Sequence, residues 1–286
     1  MTSRLTPERL PVCPGTLTLI VVLLLSQLAV GQSRRIHLAN DDHTDFLWTA
    51  DEKTYERVFQ EMIDYYLELA NQTDANPAPY QCRFNCDGSY WLWVYEKERT
   101  PDEFQRVVHR LKKGHLSAPM TTLVSCYGGQ PAEAVLRGMY YAGRLERRFG
   151  LRFSLAVAME NQTLPLGLAS LWSGSGARYS WRGACTCASR IPTTVHRRRP
   201  HEIYWYTGLD GGRILMKWHS LAPSGNKSIG GYAEAFDPVA AVKYLDANTE
   251  FLRRYRAAGA AQPYSVRGAF GFGWDALDRK TGQPYQ

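Results

Sequence analysis

The chain has 286 residues, 44% of them hydrophobic and 21% charged, with a formal net charge of +7. The length accommodates one α/β barrel or two smaller domains. The positive excess does not make a nucleic-acid binder: the bases are scattered except at His196-Arg197-Arg198-Arg199, a run set between Pro192 and Pro200 and read as a solvated loop.

The chain opens with Arg4 and Arg9, an apolar stretch from Leu17 to Val30, and the small-residue site Ala29-Val30-Gly31. That is the layout of a secretory signal peptide. The stretch is interrupted by Ser26 and Gln27 and falls short of the roughly 20 residues that cross a bilayer. The expectation is therefore a signal at residues 1–31, cleavage before Gln32, a secreted or periplasmic product with no stable membrane span, and one domain over residues 32–286. Of the six cysteines, Cys13 leaves with the signal, and Cys82, Cys86, Cys126, Cys185 and Cys187 remain. Their spacings do not suit a structural zinc site, which leaves one disulfide or buried thiols.

Downstream, Ile36 to Ala39 reads as a strand. Thr49-x-x-Glu52 reads as a capping box, opening a helix whose Tyr55, Val58, Phe59, Met62, Ile63, Tyr66 and Leu67 share one face. Asn71 to Pro79 reads as a turn-rich break and the aromatic segment Tyr80 to Tyr95 as containing a strand. Thr100-Pro101-x-Glu103 starts a second helix, stopped by Gly114. Thr121 to Cys126 is a third apolar run. Pro131 to Phe149 is helical, with Val135, Leu136, Met139 and Tyr140 on the core face and Gly150 as its cap. Leu151 to Met159 is a strand, Ser170 to Arg190 a loop, and a strand pair flanks Asp210-Gly211-Gly212. Asp237-Pro238 opens a helix ending near Gly259, and Ser265 to Phe272 is the last strand. Strands alternating with helices predict an α/β fold with a parallel sheet, open or closed into a (β/α) barrel.

In such a fold the chemistry sits in loops after the strands. Three acidic sites occupy such places: Asp41-Asp42-His43-Thr44-Asp45, then Glu160, then Asp275. His43 and Asp45, two residues apart after the first strand, supply the mixed nitrogen and oxygen donors that suit zinc. Trp48, with either Trp172 or Trp181, is expected at a binding face, where flat rings stack on sugars. Asn71-Gln72-Thr73, Asn161-Gln162-Thr163 and Asn226-Lys227-Ser228 match the glycosylation sequon.

His43-Thr44-Asp45-Phe46-Leu47-Trp48 resembles the opening motif of the glycoside hydrolase family 38 α-mannosidases, and Tyr204-Trp205-Tyr206 leading to Asp210-Gly211 is similar to that family's aromatic strand and turn. The resemblance runs in order from about Ile36 to about Asp275 and implies a seven-stranded barrel, shared with polysaccharide deacetylase-like proteins. It implies zinc held by His43, Asp45 and Glu160, with Glu160 as the nucleophile and Asp275 as the acid/base of a retaining hydrolase acting on a mannoside or related oligosaccharide. Two departures stand out: Glu160 replaces the family's aspartate, and no Pro-Phe-Gly follows it.

The family's late histidine also lacks a counterpart, since His196, His201 and His219 all precede Asp275. On the family pattern that ligand, and the helical and β-sandwich domains after the barrel, would lie beyond Gln286. The expectations are a truncated gene product, a partner chain or self-association that supplies the rest, or a barrel put to another use. Weak zinc uptake and slow or absent turnover by the isolated chain follow from the missing late histidine. The other readings are a metal-dependent polysaccharide deacetylase, which lacks the expected His-x3-His pair, and an exported carbohydrate-binding domain without turnover.

Overall fold

The computed structural model describes residues 35–41, 46–123, 125–158, 164–184, 203–221, 228–229, 239, 242–243 and 266–270. The signal segment, its boundary at residue 31, Cys185, Cys187 and nearly all of the helix expected after Pro238 lie outside them.

Strand β1 (Arg35–Asp41) is followed by helix α1 (Glu52–Thr73). All seven residues expected on one face of α1 are buried. Its cap differs from the expected box: the Asp51 carboxylate accepts the Thr54 N–H at 2.9 Å, while Thr49 Oγ1 lies 3.2 Å from the Tyr55 hydroxyl. The helix also runs to Thr73, past the start of the expected break. There the Thr73 hydroxyl donates to the Leu69 carbonyl at 2.8 Å and accepts the Cys82 N–H at 2.9 Å, which closes the helix end onto the next segment. Cys82 and Cys86 are buried, and burial pushes the Cys82 thiol up to about 11.

The aromatic segment holds only a two-residue strand, β2 (Phe84–Asn85), and then helix α2 (Ser89–Glu98), where sequence gave no helical period. Trp91, Leu92, Val94 and Tyr95 of α2 are fully buried and Tyr90 and Trp93 partly so, so its apolar residues surround the axis rather than forming a stripe. No side chain caps it. The carbonyls of Thr121 and Thr122 instead accept the N–H groups of Ser89 and Tyr90 at 2.9 and 3.0 Å, filling positions that a helix start leaves open. Gly88 permits this approach, because a Cβ there would sit 1.9 Å from the Thr122 oxygen. Helix α1 covers this segment through stacked pairs: Phe59 on Trp91 at 4.4 Å and Tyr66 on Phe84 at 3.8 Å between centroids.

Helix α3 (Pro101–Lys113) has the expected reciprocal Thr100–Glu103 capping box and ends at Gly114 in the left-handed region. Strand β3 (Leu116–Ser117) precedes Thr121 to Cys126, none of whose described residues is in a strand. The single helix expected over Pro131 to Phe149 is two, α4 (Ala132–Arg137) and α5 (Tyr140–Phe149). The Gly138 carbonyl is taken by the Thr122 hydroxyl, and glycine there offers little helix propensity. Val135 and Met139 are buried as expected, but Leu136 is half-buried and Tyr140 is 56% exposed.

Strand β4 (Leu155–Ala158) lies within the expected run. The stretch expected as a loop from Ser170 instead opens inside helix α6 (Leu166–Gly174), which buries Leu168, Ala169 and Trp172, and holds strand β5 (Tyr179–Ala184). Strands β6 (Ile203–Thr207) and β7 (Arg213–Leu221) form the expected antiparallel hairpin. In its turn the Asp210 carboxylate accepts the Gly212 N–H at 2.9 Å and the Ser170 hydroxyl at 2.6 Å, tying the hairpin to α6. Strands β8 (Ser228–Ile229) and β9 (Val266–Phe270) complete the described elements.

One sheet has the order β3-β2-β1-β9 and the other β4-β5-β7-β6, with β8 on β7. The pairs β1–β2, β2–β3, β4–β5 and β5–β7 are parallel. Just past β3, the Met120 N–H donates to the Leu155 carbonyl at 2.8 Å and Thr121 Oγ1 accepts the Val157 N–H at 3.4 Å, so the two sheets join with both segments rising in the same direction. The result is a mixed α/β architecture whose parallel strands follow one another in chain order. Among the described residues no helix is long and apolar enough to cross a membrane.

Candidate functional site

The carboxyl ends of β1 to β5 and β7 share one edge, and two of the expected sites follow these strands in the sequence. His43 and Asp45 follow β1, Glu160 follows β4 two residues after Ala158, and Asp275 follows β9, which neighbours β1. All four lie outside the described residues. Among the described residues no group of three His, Cys, Asp or Glu could hold a metal ion.

The exit from the first loop is fixed in detail. The Phe46 ring packs edge-on against Tyr55 and Tyr90, with centroids 5.2 and 5.5 Å away. The buried Tyr55 hydroxyl accepts the backbone N–H groups of both Trp48 and Thr49 at 3.1 Å. Between these anchors Leu47 has φ +67°, a left-handed conformation that costs a leucine about 1 kcal/mol or more. One phenol oxygen thus sets where the chain leaves the His43-x-Asp45 loop. Trp48 is 73% exposed, in keeping with a surface role, whereas Trp172 and Trp181 are both buried and present no binding face. Trp172 instead packs edge-on against Tyr127 at 5.2 Å.

The same strand edge gathers buried polar residues that sequence reasoning did not single out. Asn85 is aligned with Asp41 on one side and Ser117 on the other, and accepts the Ser117 hydroxyl on Oδ1 at 2.9 Å. Two residues on, Asp87 is 1% exposed. The Tyr127 hydroxyl donates to the Val157 carbonyl at 3.2 Å in β4. Burial holds the Tyr127 phenol far above its ordinary range; a Thr121 hydrogen bond opposes this and the Asp87 charge adds to it. Tyr127 therefore stays a proton donor at any working pH. Arg182, also buried, is aligned with Ala158, the last residue of β4.

A carboxylate, an amide, a phenol and a guanidinium are thus collected along the strand ends, a set suited to binding hydroxyl-rich ligands and to holding charge in a partly dry setting. Their signal in the sequence was faint. Asn85-x-Asp87, starting on the last residue of β2, repeats the spacing of His43-x-Asp45, but sits in an aromatic segment. Arg182 lies in the stretch read as a loop.

No family model matches the sequence, and no curated protein matches it. The fold does find solved structures. It is similar to an α-mannosidase from Enterococcus faecalis V583, with a TM-score of 0.62 and 16% identity over 88% of this chain and 26% of that one. It is also similar to a protein in glycosyl hydrolase family 38 from Enterococcus faecalis, with a TM-score of 0.54 and 13% identity over 86% of this chain and 24% of that one. The chain spans about a quarter of the length of these structures. At such identities the likeness establishes the fold.

Proposed function

We propose that the chain is a glycoside hydrolase domain of the zinc-dependent, retaining α-mannosidase type, built as a β/α barrel. The observation that supports this reading is a fold similar to that of an α-mannosidase, in which the three candidate sites follow β1, β4 and β9 in chain order. The donor set suits the metal: one imidazole from His43 and carboxylates from Asp45 and Glu160 would hold zinc. Bound there, zinc supplies Lewis-acid polarisation of adjacent sugar hydroxyls.

The remaining chemistry belongs to the chain. The Glu160 carboxylate attacks the anomeric carbon as the Asp275 carboxyl gives its proton to the departing oxygen. Asp275 then takes a proton from water, which releases the sugar with its configuration retained. Glutamate at position 160 adds a methylene relative to the aspartate that the family pattern leads one to expect, and Arg182, beside the end of β4, supplies the cation that would keep a neighbouring carboxylate ionised. The clamp from Tyr55 fixes Trp48 and Thr49, just past the segment that bears His43 and Asp45.

The test is an aryl α-mannoside assay on the purified chain with and without zinc, with the product configuration read by NMR. Zinc-dependent release of an α-configured sugar, lost in Glu160→Gln, is the expected result. Acetate release from an acetylated polysaccharide without glycosidic cleavage would replace this reading with a deacetylase. Glycan binding that a chelator leaves unchanged, with no turnover, would replace it with a binding domain.

A further inference from the structure

On the outer, helical side of the fold, a groove of about 470 Å³ runs between α2 and the α4–α5 pair, lined by Tyr90, Trp93, Arg137, Tyr140, Tyr141 and Arg144 and reaching Thr122. It continues past Trp93 and Tyr141 toward Lys97 and Arg148. Its inner rings are immobilised. Tyr90 stacks on Trp93 at 5.3 Å and 15°, the Tyr90 hydroxyl donates to Glu56 at 3.1 Å, and the Tyr141 hydroxyl donates to Glu96 at 2.8 Å. Tyr140, in contrast, stands 56% exposed.

The charges of the groove do not balance. Arg137 pairs with Glu133, Arg148 with Glu96 and Lys97 with Glu98. Arg144, exposed and 5.4 Å from the Tyr141 ring centroid, has no carboxylate partner among the described residues. Glu96 is the one acid among the groove's lining residues, against Lys97, Arg137, Arg144 and Arg148. An occupant that matches this surface brings negative charge to Arg144 and a flat, weakly polar face to the free tyrosine ring.

We propose that this groove binds an anionic oligosaccharide, with a pyranose face on Tyr140 and a carboxylate or sulfate on Arg144. Arginine grips either oxyanion with two parallel N–H groups, and an exposed tyrosine, with only two side-chain torsions, offers stacking area at low entropic cost. None of the residues that line it is among the proposed catalytic ones, so the groove would retain or select substrate chains without taking part in the reaction.

Calorimetric titration of the full chain with a uronate oligosaccharide, a sulfated oligosaccharide, a neutral manno-oligosaccharide and a polyglutamate peptide tests this. The uronate or the sulfated sugar should bind about tenfold or more tighter than the neutral one, and which of the two binds identifies the acid group. Arg144→Gln should weaken that binding about tenfold and Tyr140→Ala several-fold. Both residues are exposed, so the thermal midpoint should hold and a folding defect is separable. Binding should survive His43→Ala, which separates this site from the catalytic one. Acidic sugars binding no tighter than the neutral one, an unaffected Arg144→Gln variant, or polyglutamate binding as tightly as the sugars would each overturn the proposal.

Discussion

At the start of the parallel strands, the polar groups satisfy one another. Arg110, 8% exposed, donates to His115 Nδ1 at 2.8 Å and to the Asn71 side chain at 2.5 Å, and pairs with Asp74 at 3.0 Å. Lys113 adds a second cation to Asp74, and His115 Nε2 meets the Gln81 oxygen at 3.0 Å. The network ties the ends of α1 and α3 to the first residue before β3. At the other end of the same strands, Asn85, Asp87, Tyr127 and Arg182 come from different strands and loops and include an acid, an amide, a phenol and a cation. One edge pairs like a structural lock. The other assembles unlike groups where parallel β/α folds carry their chemistry.

That contrast predicts separable phenotypes. The largest effect belongs to the proposed acid/base: on the proposed function, Asp275→Asn should lower α-mannoside turnover by about 10²- to 10⁴-fold, the usual weight of a general acid, with the melting temperature unchanged. A parallel loss of stability would mean that Asp275 holds the fold instead. Gly88→Ala is the case that crosses the divide. Its Cβ would meet backbone that cannot yield cheaply, so roughly 3 kcal/mol of stability should be lost in denaturant titrations although the residue sits at the carboxyl edge.

At the amino edge, Arg110→Ala should cost roughly 2 kcal/mol, since it strips hydrogen bonds from Asn71 and the buried His115, while turnover per folded molecule stays constant.

The pH dependence follows from the same network. A guanidinium can only donate, so His115 Nδ1 is its acceptor and the ring is neutral, with Nε2–H pointing to Gln81. Burial first, and then Arg110, Arg83 and Lys113, lower its pKa below 6.5; Asp74 opposes them. The unfolded chain therefore takes up a proton near pH 6.5 that the folded chain refuses. Stability should fall as pH drops below 6.5 toward the folded value, by at most about 1.4 kcal/mol per pH unit for this one group. His115→Gln should flatten that slope, and an unchanged slope would assign it to other groups. Smallest, Gly114→Ala should cost about 1 kcal/mol, because φ +73° penalises a Cβ at the α3 cap.

How much of this was legible in the sequence depended on whether local chemistry or distant partners decided each element. Helix α1 declared itself by seven residues on one face, α3 by Thr100 and Glu103, and the hairpin by Asp210-Gly211-Gly212. Helix α2 did not, because it is apolar on several sides and its first N–H groups are satisfied by carbonyls more than 30 residues away. Helix α6 reads as a glycine and serine stretch and has no side-chain cap, and β3 is two residues long and defined by its pairing with β2. The strands that His43, Asp45, Glu160 and Asp275 follow in the sequence could be read ahead, while those four residues lie outside the described ones. The burial of Asn85, Asp87 and Arg182 could not, since it comes from neighbouring strands.

The closure of the α1 end also sets an order of events during biosynthesis. Asn71-Gln72-Thr73 is an acceptor sequence for N-linked glycans, yet in the fold Thr73 is buried with its hydroxyl engaged twice, and the Asn71 side chain is gripped by Arg110. Asn71 is exposed, but transfer to its Nδ2 needs an extended acceptor segment with a free Thr73 hydroxyl, so it is expected while that segment is still nascent, and it would leave Oδ1 to Arg110. Occupancy at Asn71 in a glycosylating host, measured by peptide mapping, thus becomes a clock for how quickly α1 docks relative to glycan transfer.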